Sequence, residues 1–140
     1  MQAAVRNLGT GLAYFAIVFA AGFALAPVRL LWLLPRVGER AAELLELPLM
    51  LVVIVLAARW LLRRRGADCT ATDRVAIGTI ALAMMLAAEF GLVLQLRGIG
   101  LAGYLAGRDP VSGTAYYLAL LVFAAMPWFL GRRDRRARPT

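Results

Sequence analysis

An all-α fold, an integral membrane four-helix bundle with both termini cytoplasmic, is the class this sequence predicts, and three observations predict it. The 140-residue chain is 62% hydrophobic and 17% charged, against about 45–50% and about 25% for an average soluble domain. Its apolar residues gather into four long runs separated by arginine-bearing connections. Those arginines are unevenly shared between the two sides that four crossings define.

A helix rising about 1.5 Å per residue needs about 20 apolar residues to cross about 30 Å of hydrocarbon. The first predicted span covers about residues 8–28, inside the uncharged 22-residue stretch Asn7–Val28. A signal peptide is the alternative here. Its apolar core is usually about 7–15 residues, and Ala24-Leu25-Ala26 is a poor imitation of a cleavage site, so the run is expected to stay as a span. The second span, about 44–62, must borrow from its flanks, because Glu46 and Arg59 enclose only twelve residues. Glu46 then sits near one interface and Arg59 snorkels to the other. The third, about 75–96, carries one charge, Glu89, and the fourth, about 110–131, carries none and is followed by the basic tail 132–140. The whole of 1–140 reads as a single transmembrane domain.

Local punctuation agrees with these limits. Gly66 and Gly98 stand where the second and third helices should stop. Asp109-Pro110 opens the fourth with an N-cap carboxylate and a proline that loses no hydrogen bond in the first turn. Pro27 and Pro127 should kink or end the regular parts of their helices. Ala16, Ala20 and Ala24 line one face of the first span, and Ala83, Ala87 and Gly91 one face of the third. Small residues so spaced allow close packing in lipid, so these two faces are expected to touch.

With both termini in the cytoplasm, eleven of the sixteen basic residues fall inside and five (Arg29, Arg36, Arg40, Arg97 and Arg108) fall outside, in keeping with the positive-inside bias. Trp60 and Trp128 then lie at inner helix ends, and Trp32, Tyr104, Tyr116 and Tyr117 at outer ones. The net charge of +8 is concentrated beside spans and has no soluble domain behind it, so anionic membrane lipid is a better candidate partner than nucleic acid, while the foremost reading of the basic clusters is that they only anchor the topology.

Chemistry is bounded by what is missing. With no histidine and one cysteine, Cys69, the usual ligand sets for haem, iron–sulfur, zinc or copper cannot be assembled in one chain. Histidine-based nucleophilic triads are excluded on the same ground. No catalytic residue, metal ligand or cofactor-binding residue is assigned.

Polar residues not needed as anchors concentrate on the outer side: Arg29, Arg36, Glu39, Arg40, Glu43, Glu46, Glu89, Arg97, Arg108 and Asp109. If Arg36–Leu47 is helical, Glu39, Glu43 and Glu46 share one face at spacings of four and three. Like charges so placed repel unless water or arginine faces them. A solvated connector would explain this stripe equally. Glu89 is the sharper case, lying about 10 Å inside the end of its helix. A carboxylate at that depth faces the bundle interior or a water-filled cavity, with Arg29 as the candidate partner. Paired, it locks two helices; otherwise it can serve a proton relay.

The runs Gly22–Met50, Ala87–Gly98 and Gly107–Gly113 resemble a family of short bacterial inner-membrane proteins with four predicted spans and no assigned activity. The resemblance implies four spans and draws attention to the same charged residues, but implies no mechanism. Arg40-Ala41-Ala42-Glu43-Leu44-Leu45-Glu46 is a poor match to the signature of the membrane-associated glutathione and eicosanoid enzymes, with leucine in place of the asparagine. Small multidrug exporters share four helices and a membrane acid, but carry the acid on the first helix.

The sequence therefore predicts a small multi-pass protein of the bacterial inner membrane. The foremost reading is a non-enzymatic accessory or lipid-contacting subunit, paired with a second copy or with another membrane protein. A proton-coupled transporter using Glu89 is the second reading, and an enzyme acting on lipid headgroups the third.

Overall fold

A computed structural model describes residues 1–98, 100–107 and 109–136. Helix α1, Gln2–Val28, does not stop at Pro27. It widens into a single π-helical turn, Arg29–Leu33, and continues as α2, Leu34–Val37. Proline has no N–H to donate, so Pro27 and Pro35 each remove one rung of the helical ladder, and the π turn between them absorbs the mismatch. Gly38, at φ +82°, ends this arm.

Helix α3 spans Glu39–Arg65 and stops at Gly66, at φ +75°. Helix α4, Ala71–Arg97, opens with a capping box in which the Thr70 hydroxyl accepts from the Asp73 N–H and the Asp73 carboxylate accepts from the Thr70 N–H. Gly98 closes it in the left-handed conformation. A short helix α5, Leu101–Ala106, leads to α6, Pro110–Arg136. Among the described residues, four helices are long and apolar enough to cross a membrane: Gln2–Val37, Glu39–Arg65, Ala71–Leu92 and Pro110–Arg136. The first runs well past both predicted limits, because α1 begins at Gln2 and the π turn carries it on through Val37.

The helices pack as a ring in which α1 touches α4, α4 touches α6, α6 touches α3 and α3 touches α1. One end of the bundle carries the start of α1, the α3–α4 connection and the end of α6, and is called the terminal end below. The opposite end carries α2 and α5. The core runs through Tyr14, Val18, Ile54, Leu61, Ile77, Ala81, Met85 and Phe123.

Helices α1 and α4 do touch, but not through the predicted alanine faces. Ala16, Ala20, Ala24, Ala83, Ala87 and Gly91 are all exposed. The contact instead uses Gly11, where an added Cβ would come within 2.8 Å of Ile80 Cγ2. Helix α6 approaches α4 closer still, since a Cβ on Gly78 would overlap the carbonyl oxygen of Ala124. Large buried side chains such as Tyr14 and Ile77 need partners that fill volume, and the interior face went to them.

Candidate functional site: a carboxylate-lined cavity

Glu39, Glu43 and Glu46 occupy one face of the first two turns of α3, and that face lines a cavity of about 460 Å³ at the α2/α5 end. All four long helices contribute to it. Its deep wall is apolar, formed by Val18 and Phe19 of α1, Ile54 of α3, Met85 of α4, and Leu120 and Phe123 of α6. Four carboxylates surround the upper part, Glu89 joining the α3 triplet, and Arg29 is the cation among the described lining residues.

The π turn begins at Arg29. Arg29 Nη1 donates to Glu46 Oε2 at 2.9 Å, and with its side chain 35% exposed against 12% for Glu46 the pair is half-buried. Glu89 takes a different partner from the one expected: its Oε1 accepts a hydrogen bond from the Tyr116 hydroxyl of α6. Arg29 and Glu89 both line the cavity, but the arginine reaches across to the neighbouring α3. Among the described residues no cation lies within ion-pair distance of Glu39 or Glu43. No three acidic or thiol side chains among the described residues converge on a position that could hold a metal ion. The negative charge is spread around a ligand-sized space instead.

Arg36, Arg40 and Asp109 stand outside the cavity lining. Arg40 forms a fork on Asp109, with Nη2 to Oδ1 at 2.7 Å and Nε to both carboxylate oxygens at 3.1 Å. Asp109 also accepts from the N–H groups of Val111 at 3.1 Å and Ser112 at 2.9 Å, so one carboxylate caps α6 and ties it to the start of α3. The Arg40 guanidinium and the Ser112 N–H hold the Asp109 carboxyl well below the usual carboxylate range. Arg36 lies 4.6 Å above the Trp32 ring. Arg108 and the side chain of Arg97 lie outside the described residues.

Below the cavity the bundle is closed. Tyr14 of α1 and Phe123 of α6 stack across its centre with ring centroids 4.5 Å apart, and the Tyr14 hydroxyl donates to the Phe123 carbonyl at 2.8 Å. That carbonyl needs an outside donor because residue i+4 is Pro127, which has no N–H. Further toward the terminal end, Asn7 Nδ2 donates to Asp73 at 2.8 Å, while Asn7 Oδ1 accepts from Arg65 at 2.8 Å. This joins α1, α3 and α4.

Sequence reasoning missed Tyr116, Tyr14 and Asn7. A detectable signal existed for two of them: a proline inside a span leaves a carbonyl in want of a donor, and an asparagine at the edge of a span demands polar partners. Comparison of the chain with protein-family models, with curated proteins and with solved structures found no match.

Proposed function

We propose that the protein is a small proton-coupled carrier of the bacterial inner membrane, with both termini in the cytoplasm, that takes a small amphipathic cation into the cavity from the outer side. The observation that carries this reading is the cavity itself, about 460 Å³, with four carboxylates and one arginine among its described lining residues above an apolar floor. Ligand sites of this kind are mostly apolar with a few polar groups that fix orientation. A cationic head meets Glu43 and Glu89, and an apolar body meets Phe19, Ile54 and Phe123. Glu89, held by the Tyr116 hydroxyl and open to the cavity, supplies the carboxylate that exchanges a proton as the cation enters. Arginine bias between the two ends supports the orientation.

Proton exchange tests the reading directly. The protein in lipid nanodiscs is titrated with a panel of small amines in buffers of different ionisation enthalpy. A carrier of this type releases protons on binding, so the apparent heat varies with the buffer, and Glu89→Gln removes that variation while keeping the melting temperature. Binding heats independent of buffer for every amine overturn the coupling.

A second reading, an accessory subunit associating with another membrane protein or a second copy, is favoured by one observation. The alanine faces of α1 and α4 point outward and remain open for a helix from outside.

A further inference from the structure

At the terminal end, away from the cavity, the first turn of α4 meets the last turns of α6. Arg74 runs along α6 at Gly131, where an added Cβ would overlap its guanidinium. Only glycine leaves that path open. The Nε of Arg74 is buried and has no hydrogen-bond partner. A buried donor without an acceptor is costly, and in a native structure it asks for a group from outside the chain.

Two further guanidiniums come to the same place. A small pocket of about 30 Å³ is lined by Ala71, Arg74, Trp128, Gly131, Arg132 and Arg135. Arg132 lies 4.6 Å above the Trp128 ring, which fixes its position at the rim. Among the described residues no carboxylate stands within ion-pair distance of these three arginines. Asp73, next in sequence to Arg74, is occupied by Asn7 and Thr70. Three guanidiniums therefore gather without an ion-pair partner among the described residues, Asp134 of the same helix included, in a shallow notch at the ends of two helices apolar enough to cross a membrane.

We propose that Arg74, Arg132 and Arg135, with Trp128 beside them, hold the phosphodiester of one anionic phospholipid in the cytoplasmic leaflet. Phosphate oxygens accept from guanidinium N–H groups in the planar, paired geometry that arginine presents. The notch is too small for a whole ligand and suits a headgroup phosphate presented at the surface with its acyl chains left outside. Basic pockets between membrane helices on the cytoplasmic side bind anionic headgroups on these physical grounds. The site rests on membrane insertion with both termini in the cytoplasm, as proposed above, and is independent of whether the cavity carries a cation.

The test separates this pocket from generic attraction to a charged surface. Protein in nanodiscs of phosphatidylcholine doped with phosphatidylglycerol is released and weighed by native mass spectrometry, and the retained lipid is titrated. Wild type should keep one phosphatidylglycerol. The double variant Arg132→Gln/Arg135→Gln, at two exposed positions, should bind it roughly 30-fold more weakly, and Arg74→Gln should weaken it as well. The control Arg63→Gln/Arg64→Gln removes the same charge from the same end and should leave retention intact. Equal loss in the control, or no retained lipid in wild type, overturns the proposal. Inorganic phosphate, added to protein in pure phosphatidylcholine, distinguishes the other source: if it binds as tightly as the lipid and with the same arginine dependence, the site belongs to a free anion and the lipid assignment falls. If Arg74→Gln does not fold, the Arg132→Gln/Arg135→Gln result decides alone.

Discussion

The two halves of the same four helices are packed in opposite ways. At the terminal end, a Cβ on Gly11 would press on Ile80 and one on Gly78 would overlap the Ala124 carbonyl, so backbones are in near contact. At the cavity end, a Cβ on the half-buried Gly22 would meet only the tip of Met50, at an ordinary contact distance of 3.6 Å. The polar groups differ as well. At the terminal end Asn7 donates to Asp73 and accepts from Arg65, tying three helices together. At the cavity end, by contrast, Glu39 and Glu43 find no cation among the described residues. Close packing makes one half a rigid base, and surplus carboxylates at the other half make a space where something else can bind. One chain can combine stability with a binding site only by keeping the two apart along the helix axis.

The largest expected effect breaks the rigid half. Gly78→Ala adds one methyl group, and in an isolated helix that change gains about 1 kcal/mol. Here it forces α4 and α6 apart, and overpacking of this kind costs roughly 1–3 kcal/mol. Gly22→Ala, half-buried at the cavity end, meets only the tip of Met50 and should be neutral or stabilising by up to about 1 kcal/mol. Melting temperatures of the two variants in mild detergent, moving in opposite directions, confirm the contrast. Equal shifts would show that the two halves are packed alike.

Next comes the boundary between the halves. Tyr14→Phe keeps the stack on Phe123 but leaves its carbonyl without a donor, at a cost of roughly 1–2 kcal/mol. Pro127→Ala returns a backbone N–H to that carbonyl, so the double variant Tyr14→Phe/Pro127→Ala should recover part of the loss. Purely additive losses in thermal unfolding would mean that Tyr14 acts through packing alone. At the cavity itself, Arg29→Leu leaves Glu46 unpaired while keeping bulk at the π turn. The pair is half-buried, so the expected loss is about 0.5–1 kcal/mol, read in the same melts. Glu46→Gln should restore most of it in the double variant, and failure to do so would mean that Arg29 is held by other groups.

Fold and site were legible to different degrees, for physical reasons. Helix number and ends follow from local rules: glycine at positive φ stops α3 and α4, and Asp109 caps α6, so Gly66, Gly98 and Asp109-Pro110 sufficed. The continuation through Pro27 was not legible, because a π turn is a compromise between two prolines that propensity alone does not resolve. Helical spacing groups Glu39, Glu43 and Glu46 on one face, and the cavity is lined by these three together with Glu89 of α4. Partner choice was out of reach, since α1 adjoins both α3 and α4 and adjacency alone does not say which carboxylate Arg29 meets. Arg29 pairs with Glu46 across the α1–α3 contact, and Tyr116 reaches Glu89 across the α4–α6 contact. The alanine faces misled for a related reason: small-residue spacing shows where a helix can be approached, and the larger Tyr14 and Ile77 decided which face was.

The smallest expected effect concerns the clasp that closes the cavity end, and it has a pH signature. Asp109 is held well below the usual carboxylate range, first by the Arg40 fork and then by the Ser112 N–H. A depressed folded-state value means that the folded protein binds its proton more weakly than the unfolded chain. The resulting stabilisation is complete above the unfolded value, about 4, and is lost as the pH falls through the still lower folded value. Both partners are solvent-accessible, so the contribution is small and weakened by salt. Asp109→Asn keeps an N-cap acceptor but removes the charge, which isolates the clasp from the helix cap. Melting curves of wild type and Asp109→Asn should therefore be separated by a constant small gap at neutral pH, and the gap should close as the pH falls below about 4. Arg40→Gln should show the same closing gap, because it removes the other half of the clasp. A gap that persists unchanged in strong acid would mean that the Asp109 charge is not its source, and the cavity end would then be joined across α3 and α6 by contacts other than the ion pair.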